Sequence, residues 1–251
     1  MATYPSPYTV AVIGAASGIG RASALLMASR SVTVVCLDRN GKGAEDTALE
    51  VRRNGGTANW YTLEVTDSAS QTRVWNDVLP KSGQLHALVN CAGITGKTNL
   101  KAHEVDPQDF VEVFRINMLG ALLASQAVLP HMLSKGYGRL LHIASIAGKE
   151  GNAGMTAYSA TKAGLIGMVK SMGKDYAETG VTINSLAPAV IRTPLVDAMP
   201  EAQVKYMTDK IPMRRCAELS EVAELIAWIA SPACSFITGF TFDLSGGRAT
   251  Y

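Results

Sequence analysis

Apolar residues along this chain gather into short, nearly continuous runs, separated by longer stretches in which they recur at helical spacing. The runs are Thr9–Ile13, Val32–Leu37, Leu85–Asn90, Leu140–Ala144, Val181–Ala187 and Phe240–Leu244, with a more polar candidate at Ala58–Val65. Their Val and Ile content predicts strands, and continuous rather than alternating apolarity predicts burial on both faces. The intervening stretches predict helices over Ile19–Ser29, Gly43–Asn54, Ser68–Lys81, Pro107–Ser134, Ala157–Thr179 and Ser220–Ala230, several opened by Ser, Thr or Asp. Strands alternating with helices in this way give an α/β fold: a doubly wound parallel sheet of about seven strands with helices on both faces. No repeat, low-complexity tract or Pro/Ser-rich linker divides the chain, so residues 1–251 are expected to form a single domain.

Composition narrows the function classes. Of 251 residues 47% are hydrophobic and 18% charged, which excludes a disordered chain. A net charge of +2 with no run of five like charges argues against nucleic acid as a partner. No purely apolar stretch approaches the roughly 20 residues of a membrane span, and Met1 to Val12 lack the pattern of a signal peptide. A soluble, cytoplasmic protein with no membrane partner is expected. Cys36, Cys91, Cys216 and Cys234 are too scattered for a Cys-x-x-Cys site and read as free thiols. His86, His103, His131 and His142 are equally dispersed, so no metal site is expected.

The first strand runs into Gly14-Ala15-Ala16-Ser17-Gly18-Ile19-Gly20 and then a helix. Glycines at such a turn either permit tight packing or bring backbone amides around a pyrophosphate, with the helix N-terminus favouring the same anion. Asp38 closes the second apolar run about twenty residues later, where a carboxylate can accept hydrogen bonds from an adenosine ribose and repel a 2′-phosphate. NAD is the expected cofactor. Arg39 follows directly, and its guanidinium could instead bind that phosphate, which keeps NADP as an alternative.

Further along, Tyr158 and Lys162 stand four residues apart on one helical face, so the ammonium can reach the phenol. A positive neighbour stabilises phenolate, and the pair predicts a general base. Ser145 ends the fifth strand, at the edge of a parallel sheet where ligands settle; its hydroxyl can hold a substrate oxygen or simply cap a helix.

Taken together, the Gly14/Gly18/Gly20 spacing, Asn90-Cys91-Ala92-Gly93, Asn117, Ser145 and Tyr158-Ser159-Ala160-Thr161-Lys162 resemble, over the whole chain, the short-chain dehydrogenase/reductase family with its Rossmann fold. The resemblance implies that Ser145 orients the reacting carbinol, Tyr158 transfers its proton, Lys162 also binds the nicotinamide ribose, and Asn117 anchors a water joining Lys162 to solvent. It further places Ser17 and Ile19 in the phosphate turn, Glu64 and Val65 near the adenine, Asn90 near the adenosine-side ribose, and Ile191 with Thr193 near the carboxamide. Three positions depart from the family's usual pattern: Ile13 for threonine, Glu64 for aspartate and Ala189 for glycine. None of them removes a catalytic group.

The small, polar segment from Ile146 to Met155 and the ending Phe242 to Tyr251 resemble sugar and sugar-acid dehydrogenases, including those acting on 2-keto-3-deoxy-L-fuconate. That implies an NAD-dependent oxidation of a secondary alcohol to a ketone, with carbohydrate catabolism as its setting. Lys149, Arg192 and Arg248 are the candidates for holding a substrate carboxylate, although each also fits a solvated charge. Two other readings compete: a 3-oxoacyl carrier-protein reductase using NADPH, and a non-catalytic nucleotide-binding assembly protein. Apolar residues around much of Pro107–Ser134 and Ala157–Thr179, together with the resemblance, predict a homotetramer.

Overall fold

In a computed structural model, which describes residues 3–251, the predicted alternation of strand and helix becomes one seven-stranded sheet. The strands are β1 (Thr9–Ile13), β2 (Thr33–Asp38), β3 (Ala58–Thr62), β4 (Ala87–Asn90), β5 (Gly138–Ile143), β6 (Val181–Pro188) and β7 (Thr241–Leu244). All pairings are parallel, in the order β3-β2-β1-β4-β5-β6-β7. Chain order reverses beside β1, where Ile13 lies between Leu37 of β2 and Asn90 of β4. A crevice opens at that reversal, beyond the carboxyl ends of the strands.

The seven main helices of the wrapping are α1 (Gly18–Ala28), α2 (Gly41–Arg53), α3 (Ser68–Ser82), α4 (Pro107–Phe114), α5 (Gly120–Ser134), α6 (Ile146–Glu150) and α7 (Thr156–Asp175). Beyond them come α8 (Pro194–Asp197), α9 (Glu201–Thr208) and α10 (Leu219–Ile229). Strand residues alternate between two core layers, as a pleated sheet requires. Val10, Val12 and Cys36 pack with Met27 of α1 and Ile226 of α10. Ala11, Ile13 and Leu37 face the other way, into the layer holding Trp75 of α3 and Val128 and Met132 of α5.

Helix starts follow local polar chemistry. Asn40, Asp67 and Asp106 each accept a hydrogen bond from a first-turn amide, at 3.1, 2.9 and 2.9 Å. The single helix expected over Pro107–Ser134 is continuous, but Arg115–Leu119 form a π turn between α4 and α5. This run is long and apolar enough to cross a membrane by length and composition; here its buried side, including Val113, Ala124 and Val128, belongs to the core. β3 ends at Thr62, short of Val65, so Leu63, Glu64 and Val65 are released to the crevice. Helix α7 stops at Asp175 rather than Thr179, before a turn that Gly180 completes at φ 78°.

Two histidines hold backbone donors by accepting. His86 Nδ1 takes the amide of Thr9 at 3.0 Å and His131 Nε2 takes that of Leu85 at 3.1 Å. Burial lowers both imidazolium pKa values. An unfolded chain therefore binds these protons first on acidification: the stability is complete above the ordinary histidine value and is lost as pH falls below it. The thermal midpoint is expected to drop between pH 7 and pH 5, and the His86→Gln/His131→Gln variant should show a shallower acid slope in a calorimetric pH series.

Candidate active site

The crevice is built from backbone before side chains. Gly14 and Gly18 take φ of 82° and 52°, conformations that cost an L-residue about 1–2 kcal/mol. A Cβ at Gly20 would fall 2.1 Å from the Gly14 carbonyl oxygen, so this helix turn and the glycine loop touch only through hydrogen atoms. At Gly18 the same atom would meet nothing within 4 Å, because it faces the cavity. Ser17 precedes the first helical turn in extended conformation, leaving the amide end of α1 toward the same space.

That cavity, of about 400 Å³, is lined by Gly14, Ser17, Gly18, Ile19, Gly20, Asp38, Arg39, Glu64, Val65 and Thr193, among others. Asp38 accepts the amides of Ala16 at 3.0 Å and Asn40 at 2.9 Å, which fixes its carboxylate beside the glycine turn. An open amide-lined turn with a fixed carboxylate beside it fits the pyrophosphate and adenosine ribose of a dinucleotide. Glu64 turns back to accept from the Thr66 amide and hydroxyl at 3.2 and 3.0 Å.

A second cavity, of about 260 Å³, shares Ile19, Cys91, Gly93 and Ile94 with the first and continues to Ser145, Tyr158, Lys162, Ala189 and Ile191. Ser145 caps α6 by accepting the Ala147 amide at 3.1 Å, so both the cap and the site reading apply, and its hydroxyl proton stays free to donate. Burial raises the Tyr158 phenol, and hydrogen bonding from Ser145 works against that rise. Lys162 lies on the same helical face, its Nζ 5.7 Å from the Tyr158 ring centroid. Its Nζ also donates to the Ile143 carbonyl at 2.6 Å, and burial brings its ammonium down to about 8.

Asn117 lies in the π turn, its Oδ1 accepting the Ile94 amide at 2.9 Å and its Nδ2 donating to the Ile94 carbonyl at 2.9 Å and Thr161 Oγ1 at 3.0 Å. A Cβ at Gly93 would approach Asn117 Oδ1 and Lys162 Nζ to 3.1 and 3.2 Å. Glycine there keeps the space between the two polar groups open. Neither the π turn nor the Ile143 carbonyl was legible in the sequence, since one is a single slipped hydrogen-bond register and the other a backbone atom.

Several expected contacts lie elsewhere. Asn90 is buried behind the cavities, with Oδ1 accepting the Ala92 amide at 3.1 Å. Lys149 pairs with Asp243 at 3.0 Å, Arg192 with Asp197 and Glu218 at 3.0 and 3.2 Å, and Arg248 with Glu150 at 2.8 Å. None of these three cations lines either cavity, because each is drawn to a carboxylate outside it. Arg248 also donates to Asn152 Oδ1 at 2.9 Å, and the Tyr251 hydroxyl donates to the Lys149 carbonyl at 2.7 Å, tying the C-terminal residues to the segment between Ser145 and Tyr158. Cys36, Cys91, Cys216 and Cys234 are free, and no group of metal-ligating side chains occurs among the described residues.

Comparison with known proteins agrees with this geometry. A family model described as "Enoyl-(Acyl carrier protein) reductase" matches residues 14–249. The chain is 40% identical over 240 residues to the 2-dehydro-3-deoxy-L-rhamnonate dehydrogenase (NAD(+)) of Sphingomonas sp. (strain SKA58), covering 96% of this chain and 94% of that protein. It is 34% identical to a 3-oxoacyl-[acyl-carrier-protein] reductase of Thermotoga maritima, over 94% of this chain and 95% of the other. A short-chain type dehydrogenase/reductase from Mycobacterium ulcerans superposes with a TM-score of 0.92 at 25% identity, covering 98% and 90% of the two chains.

The glycine turn yields a graded expectation. Gly20→Ala should lower the thermal midpoint more than Gly18→Ala, because only the former drives a methyl into backbone, while Gly18→Ala should chiefly weaken dinucleotide binding. Thermal scans and a binding titration of both variants check the order.

Proposed function

The chain belongs to the short-chain dehydrogenase/reductase family, and we propose that it is an NAD-dependent dehydrogenase oxidising a secondary alcohol of a sugar acid to a ketone. The observation that carries this reading is the meeting of Ser145, Tyr158 and Lys162 in a cavity that opens into the one holding Asp38 and the glycine turn. The 40% identity to a dehydrogenase of a deoxy sugar acid supports the substrate class.

In this reading Gly14, Ser17, Gly18, Ile19 and Gly20 receive the pyrophosphate and Asp38 the adenosine ribose. Glu64 and Val65 border the adenine, Ile191 and Thr193 border the carboxamide, and Lys162 donates to the nicotinamide ribose. The bound nicotinamide supplies the hydride acceptor. Ser145, its oxygen already held by the Ala147 amide, donates to the substrate hydroxyl oxygen and fixes its position. Tyr158 removes the hydroxyl proton as general base. Lys162, brought down to about 8 by burial, can pass a proton onward near neutral pH. Asn117 and Gly93 preserve the polar opening beside it, where a water would complete the path; Asn117 and Asn90 act as positioning residues.

With Lys149, Arg192 and Arg248 committed to carboxylates, Lys162 is the one lysine or arginine lining the reacting cavity among the described residues. With Lys162 itself engaged by the Ile143 carbonyl and the nicotinamide ribose, a substrate carboxylate is met by neutral groups. A second reading, the 3-oxoacyl carrier-protein reductase using NADPH, is favoured by one observation: Arg39 lines the dinucleotide cavity beside Asp38. The assembled Ser145, Tyr158 and Lys162 argue against a non-catalytic assembly protein.

The proposal includes a single domain, a cytoplasmic location without nucleic-acid or membrane partners, and a homotetramer. Exposed Val111 and Phe114 on α4 support the assembly, since apolar side chains of that size gain from being covered. Light scattering should give four times the chain mass, and a monomer would contradict it.

Absorbance of reduced nicotinamide, followed with NAD and a panel of sugar acids and then with NADPH and an acyl thioester, separates the two enzymatic readings. Turnover with NAD and a sugar acid is expected, and Tyr158→Phe should abolish it, by about three orders of magnitude or more in kcat, while NADH still binds. Turnover by that variant near the wild-type rate would remove Tyr158 from the chemistry.

A further inference from the structure

Behind both cavities runs a buried chain of polar groups whose direction can be worked out atom by atom. Ser125 of α5 donates its only hydroxyl proton to the Ala121 carbonyl at 2.8 Å. At its 3.0 Å contact with His142 Nε2 the serine oxygen must therefore accept, which places the imidazole proton on Nε2. Burial, reinforced by the nearby Lys162 ammonium, pushes the His142 imidazolium down to about 4, so the ring carries one proton at neutral pH. Its Nδ1 is then a bare acceptor, and the group 3.3 Å away is Asn90 Nδ2. With the amide nitrogen of Asn90 turned to His142, its oxygen is left to accept the Ala92 amide at 3.1 Å.

We infer that His142, set by Ser125, is a positioning residue that fixes the orientation of the Asn90 amide and through it the Cys91–Gly93 backbone shared by the two cavities. Resting on the reading of the larger cavity as the NAD site, the inference assigns to His142 and Ser125 control of dinucleotide affinity from a distance. His142 and Ser125 are fully buried and touch neither cavity. They act by hydrogen-bond polarity: every donor in the relay meets an acceptor only while the ring proton sits on Nε2. Removing the Ser125 oxygen strands that proton, and shifting it to Nδ1 satisfies neither neighbour unless the Asn90 amide turns over. The overturned amide would then present its NH2 to the Ala92 N–H, donor against donor. His142 is also followed by Ile143, whose carbonyl receives Lys162, so the end of β5 anchors the loop on one side and the ammonium on the other.

Three measurements on the full chain test the relay. Nitrogen-15 shifts of the His142 ring should report the Nε2-protonated tautomer, and an Nδ1-protonated ring overturns the inference. Amide hydrogen exchange at Ala92 should quicken about tenfold in Ser125→Ala, and NADH affinity by fluorescence titration should weaken by a similar factor. Both effects should disappear when Ser125→Ala is made in an Asn90→Ala background, because the message has lost its carrier. Wild-type exchange and affinity in Ser125→Ala, or full additivity with Asn90→Ala, overturns it. If the double variant fails to fold, the ring tautomer and the single Ser125→Ala variant decide. A wild-type protein that binds no NADH would refute the cofactor reading, while the tautomer and the Ala92 exchange would still decide the relay.

Discussion

A lysine ammonium taken out of water and given one carbonyl oxygen 2.6 Å away is the constraint on which the rest of the site depends. Burying a cation is expensive unless strong acceptors surround it, and Lys162 is 4% exposed. The acceptor comes from Ile143, the last residue of β5, and so the position of the ammonium is set by the register of the sheet and not by a flexible loop. Around that fixed charge the other parts take their places: α7 carries Lys162 and Tyr158 on one face, the π turn brings Asn117 beside it, and Gly93 keeps side-chain carbon away. Burial also makes the lysine more acidic, which turns a structural cation into a group able to exchange its proton near neutrality.

The sheet and the reacting side chains were legible because both depend on local pattern. Buried parallel strands need unbroken Val and Ile runs, glycine is required at position 20 because a Cβ there would fall 2.1 Å from the Gly14 oxygen, and a pair four apart on a helix meets by geometry alone. Where β3 ends is less legible, because Ala58–Val65 is half polar and sheet pairing stops before its apolar content does.

What the sequence concealed is the choice among partners. Lys149 and Arg248 meet carboxylates far along the chain, Asp243 being 94 positions from Lys149 and Glu150 98 from Arg248, and one of the two partners of Arg192, Glu218, is 26 away. Such pairings are set by tertiary approach and leave no periodic trace. Asn90 is similar: it closes a buried strand in the sequence pattern, but the direction of its amide is decided by Ser125 and His142 on two other elements.

The anchoring of residues 248–251 to the segment between Ser145 and Tyr158 has a practical bearing on how this enzyme can be recombined with its relatives. The Tyr251 hydroxyl donates to the Lys149 carbonyl, while Arg248 grips Glu150 and Asn152. A chimera that imports residues 149–152 from a relative without residues 248–251 would break matched contacts on both sides, so the two pieces are best exchanged as one cassette.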